Sequence, residues 1–146
     1  MFLGEFAHTI DEKGRLTIPA RFRSLLVTGA VVTRGYDQHL VVYTPESFET
    51  LARVARTLSS TDPEHRALAR LLFSGAVEVT LDKAYRINIP PNLRTYAGLG
   101  NEAMVVGAGD YAEIWNPSGW QGQLASLNDT AANARRFAPL NLAPGA

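Results

Sequence analysis

Asp11 and Arg15 stand four residues apart, and Asp82 and Arg86 repeat that spacing at a constant offset of 71 residues. A carboxylate and a guanidinium placed this way can face each other across a tight hairpin, where an opposite-charge pair contributes about 0.2–1 kcal/mol. The aspartates therefore read first as hairpin staples. The cations ask for more, because Lys13, Arg15, Arg21 and Arg23 crowd into one short stretch and Lys83, Arg86 and Arg94 stand at related places further on. Clustered guanidinium and ammonium groups are suited to phosphate oxygens, which they hold by charge-assisted hydrogen bonds. Taken singly, Arg21 or Arg23 reads better as part of a solvated helix face than as an anion ligand. Recurrence in both halves is what favours anion binding for Arg15, Arg23, Arg86 and Arg94.

Those spacings belong to a longer internal repeat. The run Asp11-Glu12-Lys13-Gly14-Arg15-Leu16-Thr17-Ile18-Pro19 matches Asp82-Lys83-Ala84-Tyr85-Arg86-Ile87-Asn88-Ile89-Pro90, and Arg23 and Arg94 fall at the same offset. Further on, Asp37 to Pro45 aligns with Asp110 to Pro117 once one residue is deleted. Agreement of an Asp, an Arg, a Pro, a second Arg and an aromatic-x-Pro element in one order points to tandem duplication.

The elements that must position these residues follow from periodicity. Phe6, His8 and Ile10 alternate with Ala7, Thr9 and Asp11, and Val77, Val79 and Leu81 alternate with Glu78, Thr80 and Asp82, which predicts half-buried strands. Glu12-Lys13-Gly14 reads as a three-residue hairpin loop whose glycine supplies a left-handed backbone angle. The chain returns with Leu16 and Ile18 on one face and Arg15 and Thr17 on the other. Pro19 and Pro90 end these strands and open short helices near Ala20 to Leu26 and Pro91 to Ala97. Strands are expected near Ala30 to Thr33, Leu40 to Tyr43, Ala103 to Val106 and Ala112 to Trp115. Thr44-Pro45 and Asn116-Pro117 are helix starts. Thr61-Asp62-Pro63-Glu64 resembles a capping box opening a further helix. A weaker helical pair is expected around Leu124 and Arg135, followed by a loose tail from Pro139 to Ala146.

Composition bounds the function. The 146 residues are 46% hydrophobic and 19% charged, the balance of a folded domain. Two halves of about 70 residues would each be marginal alone and must share a core or assemble. Without cysteine there can be no disulfide, thiolate zinc site or thiol nucleophile. Met1 to Arg15 carries Glu5, Asp11 and Glu12 where a secretory signal needs an apolar core, and no apolar run nears the ~20 residues of a membrane span. A cytoplasmic chain, with no membrane partner, is expected. With 14 basic and 14 acidic residues, attraction to a polyanion must come from local clustering. His8, His39 and His65 lack metal-ligand spacing and read as surface or partly packed residues, so no metal and no cofactor is expected. An acid–base enzyme could be drawn from His8, Asp11 and Arg15, but His8 points away from Asp11 on an alternating strand, and Gly107-Ala108-Gly109 lacks the continuation of a dinucleotide loop. Trp115 and Trp120 read as core or subunit-interface residues. A self-assembling architectural protein without nucleic acid remains a further alternative.

The motifs Asp-x-x-Gly-Arg-x-x-x-Pro at residue 11 and Asp-x-x-x-Arg-x-x-x-Pro at residue 82, with Ile-Trp before the last helices, resemble the MraZ family over almost the whole chain. The resemblance implies an α+β fold of two tandem AbrB-like units of β-barrel type, with short helices and appended helix pairs, over residues 1–75 and 76–146. It further implies a transcriptional regulator that assembles into closed homo-oligomeric rings, associates with the nucleoid and binds double-stranded DNA at short direct repeats in a promoter of the cell-division and cell-wall gene cluster. The family signature falls on Asp11, Gly14 and Arg15, then on Asp82 and Arg86, with Lys13 and Lys83 beside them. The departure is Tyr85 where the first motif has Gly14. Tyrosine rarely takes positive φ, so the second hairpin is expected to use a different turn.

Halves too small to stand alone, with apolar helix stripes of Phe48, Leu51, Ala55 and Leu58 and of Leu68, Leu71 and Leu72, predict self-association. Light scattering at micromolar concentration should give a multiple of the monomer mass, and a clean monomer would contradict it.

Overall fold

The computed structural model describes residues 1–142, so the last four residues of the expected tail lie outside them. Two compact units are present, one from Met1 to Asn116 and one beginning at Pro117. The first contains strands β1 (Glu5–Thr9), β2 (Arg15–Thr17), β3 (Ala30–Arg34) and β4 (Leu40–Tyr43), with the short helix α1 (Ala20–Arg23) running into a 3-10 turn at Ser24–Leu26. Helices α2 (Pro45–Ala55) and α3 (Pro63–Gly75) follow, then β5 (Val77–Val79), β6 (Arg86–Asn88), α4 (Pro91–Ala97), β7 (Glu102–Gly107) and β8 (Tyr111–Trp115).

The helix starts are local in origin. Thr44 caps α2 by accepting the Ser47 N–H at 3.1 Å, with Pro45 in the first turn, as the Thr-Pro pair predicts. At α3 the expected capping box is replaced by an Asp62 cap: its backbone is extended and its carboxylate accepts the Glu64 N–H at 2.8 Å. Asp62 and not Thr61 is the last residue before the first helical proline, which decides which side chain reaches the free amides.

Six strands form one antiparallel sheet in the order β1-β7-β8-β4-β3-β5, and β2 pairs with β6 in a separate antiparallel ribbon. The mixed helix-and-strand class predicted from the sequence is present. The barrel-type closure is not: the described sheet is open, with β1 and β5 at its edges, and the ribbon joins those edges through hairpin turns.

Most pairings join the two sequence halves. β1 lies on β7, β5 on β3, β4 on β8 and β2 on β6, so the halves share a core instead of stacking as separate bodies. The pattern is reciprocal under the repeat offset and amounts to an approximate internal two-fold. Leu16 faces Ile87 at the centre of the ribbon, 0% and 1% exposed, with Ile18, Ile89, Phe22 and Leu93 buried around them. Phe22 meets Phe2 and Phe6 edge-on at 5.1 and 5.5 Å.

The second unit is a helix pair, α5 (Pro117–Leu127) and α6 (Thr130–Phe137), at the places expected around Leu124 and Arg135. Asp129 caps α6 through the Ala132 N–H at 3.1 Å, and Arg136 donates to the Ser126 carbonyl at 3.0 Å. A 3-10 turn over Ala138–Leu140 occupies the start of the expected loose tail.

Leu16→Ala and Ile87→Ala should each cost about 2–5 kcal/mol in urea unfolding, the range for truncating a fully buried aliphatic side chain. Lys83→Ala, at an exposed tip, should stay within about 0.5 kcal/mol. Equal losses at all three positions would contradict a core built on the ribbon's inner face.

Candidate nucleic-acid interface

The first hairpin is organised by one carboxylate. Asp11 Oδ1 accepts the backbone N–H groups of Lys13 and Arg15 at 3.0 and 2.9 Å, while Oδ2 accepts Arg15 Nε at 2.6 Å. Backbone bonds from Asp11 N to Arg15 O and from Gly14 N to Asp11 O close the turn. Asp82 does the same work in the second hairpin, accepting from Ala84 N, Arg86 N and Arg86 Nε, each at 2.9 Å. The bonds from the Arg15 amide, foremost, and from its side chain hold the Asp11 carboxyl below its ordinary value, and the Arg86 amide leads the same effect at Asp82. Burial foremost, and the nearby Arg23 charge after it, lower the His8 pKa.

Tyr85 does not change the turn. It adopts φ +59° where Gly14 has +84°, and the hydrogen bonds match hairpin for hairpin. The different turn expected from the sequence is thus corrected, and the reason lies in what covers each position. A Cβ on Gly14 would come within 2.9 Å of the Arg94 guanidinium and 2.8 Å of the Ile89 carbonyl. At Tyr85 the equivalent Arg23 guanidinium lies 4.4 Å from the ring centroid. A left-handed tyrosine costs about 1–2 kcal/mol; the cation–π contact returns about 0.5–1 kcal/mol, and the Ile18 N–H donating to Tyr85 O at 2.9 Å fixes the backbone.

The register of β2 on β6 places Arg15 opposite Asn88 and Thr17 opposite Arg86, so these four share the ribbon's outer face while Leu16 and Ile87 fill the inner one. Arg86 Nη1 also reaches Asp11 Oδ2 at 3.5 Å, linking the hairpins. Asn88 donates to the Lys13 carbonyl at 3.1 Å. Lys13 and Lys83 stand exposed at the two tips and Arg21 is exposed on α1. Arg23 and Arg94 are placed differently: the Nε of each donates to a strand-end carbonyl, Ile18 at 3.1 Å and Ile89 at 3.0 Å, so both brace the platform as well as adding charge to it.

Residues 1–71 and 72–139 each match the model of the MraZ protein family, whose description is antitoxin-like. The chain belongs to the MraZ family. Proteins named transcriptional regulator MraZ from Roseiflexus sp. (strain RS-1) and Herpetosiphon aurantiacus are 49% and 50% identical to it over 138 and 131 residues. These alignments cover 94% of both chains in the first case, and 90% of this chain and 92% of the relative in the second. One from Thermomicrobium roseum is 50% identical over 127 residues, 87% of this chain and 89% of the relative. The two Asp-x-x-x-Arg motifs of this sequence are the two carboxylate-clamped hairpins.

One polar pair in this MraZ fold escaped the sequence reading. His39, expected at the surface or partly packed, is only 4% exposed: its Nε2 lies 3.0 Å from Glu113 Oε2, and its ring stacks on Trp115 at 4.5 Å. Trp115, expected in core or interface, is buried and donates to Glu113 Oε1 at 3.0 Å. Burial pushes the Glu113 carboxyl up, but the hydrogen bonds from His39 and Trp115 outweigh it and leave it below its ordinary value. The available signal was Glu113 itself, a carboxylate inside an apolar strand, which must find a buried partner. Among the described residues no cluster of His, Asp and Glu suits a metal ion, and no helix is long and apolar enough to cross a membrane.

Asp11, Asp82 and Glu113 all bind protons more weakly in the folded than in the unfolded chain. Their contribution to stability is complete above the unfolded values, 3.8 for aspartate and 4.5 for glutamate, and is lost as pH falls through the lower folded ones. Urea midpoints should therefore hold down to about pH 4.5 and drop below it. Asp11→Asn combined with Asp82→Asn should flatten that drop, and an acid limb of unchanged steepness would contradict the clamp.

Proposed function

We propose that this chain is a sequence-specific, DNA-binding transcriptional regulator and not an enzyme, holding duplex DNA against the outer face of the β2–β6 ribbon and the two hairpin tips. The observation that carries the reading is the meeting of both clamped hairpins in one ribbon, with Arg15 and Arg86 on its outward side. A two-stranded ribbon has the width of the DNA major groove, and arginine there can bond both acceptors of guanine. Each Nε is committed to an aspartate, so each guanidinium is aimed in advance and loses less freedom on binding. In this reading Lys13, Lys83 and Arg21 hold phosphates from the tips and α1, Arg23 and Arg94 add charge from beneath, and Asp11, Gly14 and Asp82 keep the hairpins in shape. The regulatory role rests on the relatives' shared name, transcriptional regulator.

The reading extends to architecture and target. Residues 1–75 and 76–146 are the two copies of the duplicated unit, subunits assemble as a closed homo-oligomeric ring at the nucleoid in the cytoplasm, and the ring engages short direct repeats in a promoter of the cell-division and cell-wall gene cluster. A neutral chain supports this need for several subunits, since few clustered cations release few counterions and one subunit should bind one box only at about 10⁻⁴–10⁻⁶ M. Successive subunits on one duplex add avidity of about 10²–10⁴-fold without new contacts.

Duplexes carrying one to four candidate boxes, at two salt concentrations, test the reading. Affinity should rise steeply with copy number, and Arg15→Ala or Arg86→Ala should each weaken binding about tenfold or more with unchanged circular dichroism. Affinity that ignores copy number would remove the ring mechanism, and unchanged binding in both variants would remove the ribbon as the DNA surface.

A further inference from the structure

The two hairpins agree in backbone and differ in side chains, and the differences gather at one end of the ribbon. The offset of 71 pairs Glu12 with Lys83, Lys13 with Ala84, Gly14 with Tyr85, Thr17 with Asn88 and Arg21 with Asn92. Each half's helix serves the other half's hairpin, since Arg23 of α1 lies over Tyr85 and Arg94 of α4 lies over Gly14. The tyrosine end therefore gathers Lys83 and Arg23, with Arg21 on the same helix as Arg23. The glycine end has Lys13 and Arg94 but also Glu12, and Asn92 stands where the other end has Arg21. The tyrosine end is thus richer in cations and carries Lys83 where the glycine end has Glu12. Tyr85 is 49% exposed even with Arg23 against its ring, and a phenol O–H is a donor to phosphate oxygen.

We infer that the tyrosine hairpin is the dominant phosphate-holding end of the ribbon, that it gives each subunit a direction along the duplex, and that Tyr85 is the residue that sets this direction. The inference rests on the DNA-binding reading above and adds an orientation to it. A ribbon with true two-fold symmetry would lie on a non-palindromic box equally well either way round, and repeats in one orientation would hold no advantage over inverted ones. Unequal ends remove that degeneracy, because the phosphates flanking one side of the box meet more cations and the other side meets a carboxylate. Tyr85 holds the Arg23 guanidinium against its ring and displays a donor that Gly14 cannot supply.

The test uses the full chain, which has no cysteine of its own. Asn92→Cys, exposed at the start of α4, carries an iron chelate that cleaves nearby DNA in a duplex with a single box. Cleavage should favour one side of the box by about tenfold, the difference expected from a few unequal phosphate contacts. Tyr85→Gly, which restores the first hairpin's turn residue, and Tyr85→Asn, which tolerates the left-handed backbone, should both bring the two sides toward equality while binding persists. Equal cleavage on both sides with the parent side chain at position 85 overturns the inference and leaves DNA binding intact. One-sided cleavage that survives in both Tyr85 variants overturns the role of that residue. Absence of any DNA binding by the unsubstituted protein overturns the functional reading as well.

Discussion

Leu16 and Ile87 come from opposite halves of the chain and pack face to face beneath a ribbon only three residue pairs long. Both are removed from water, and side chains alternate along a strand, so their burial forces Arg15, Thr17, Arg86 and Asn88 outward. A slip of one residue would turn the charged face into the core and the apolar face to solvent, which is why the register is firmly set. The geometry of the proposed DNA surface thus follows from an apolar contact that touches no DNA.

Above that contact, the aspartates convert flexible loops into defined ones. Each accepts two backbone amides as well as a guanidinium, and amides at a tight turn would otherwise have to find water. An exposed ion pair alone is worth little; the value of Asp11 and Asp82 lies in fixing backbone and arginine with one group. Arg23 and Arg94 close the arrangement from below by donating to the carbonyls of Ile18 and Ile89, the residues whose amides reach across to the opposite hairpin. Duplication of the sequence has in this way become mutual support, each half bracing the turn of the other.

The internal two-fold is nevertheless broken where it matters. Gly14 is required by a guanidinium packed against its Cα, and Tyr85 is permitted because the equivalent guanidinium has moved out onto its ring. Near the other end of the same axis, His39 and Glu113 join the β4 and β8 sides of the sheet through a buried polar contact without an exchanged counterpart, since Glu113 falls opposite Val41 in the register.

Local chemistry was legible in the residues themselves. The duplication, the two hairpins, the clamping aspartates, the strand and helix positions and the inward faces all follow from short-range spacing, because a turn, a cap or an alternating strand is decided by neighbours in the chain. What the sequence did not determine is which strand covers which. Alternation marks Phe6 and Val77 as belonging to half-buried strands but does not say that β1 lies on β7 and β5 on β3, an exchange between halves that depends on shape and burial across tens of residues. Tyr85 was misread for the same reason: its backbone preference is local, while the Arg23 that offsets the strain arrives from the other half. His39 was missed because burial of a polar side chain is decided by a distant partner, here Glu113. Sequence settled the parts and their chemistry; tertiary packing decided that two weak hairpins become one charged ribbon, because only a shared core could bring them side by side.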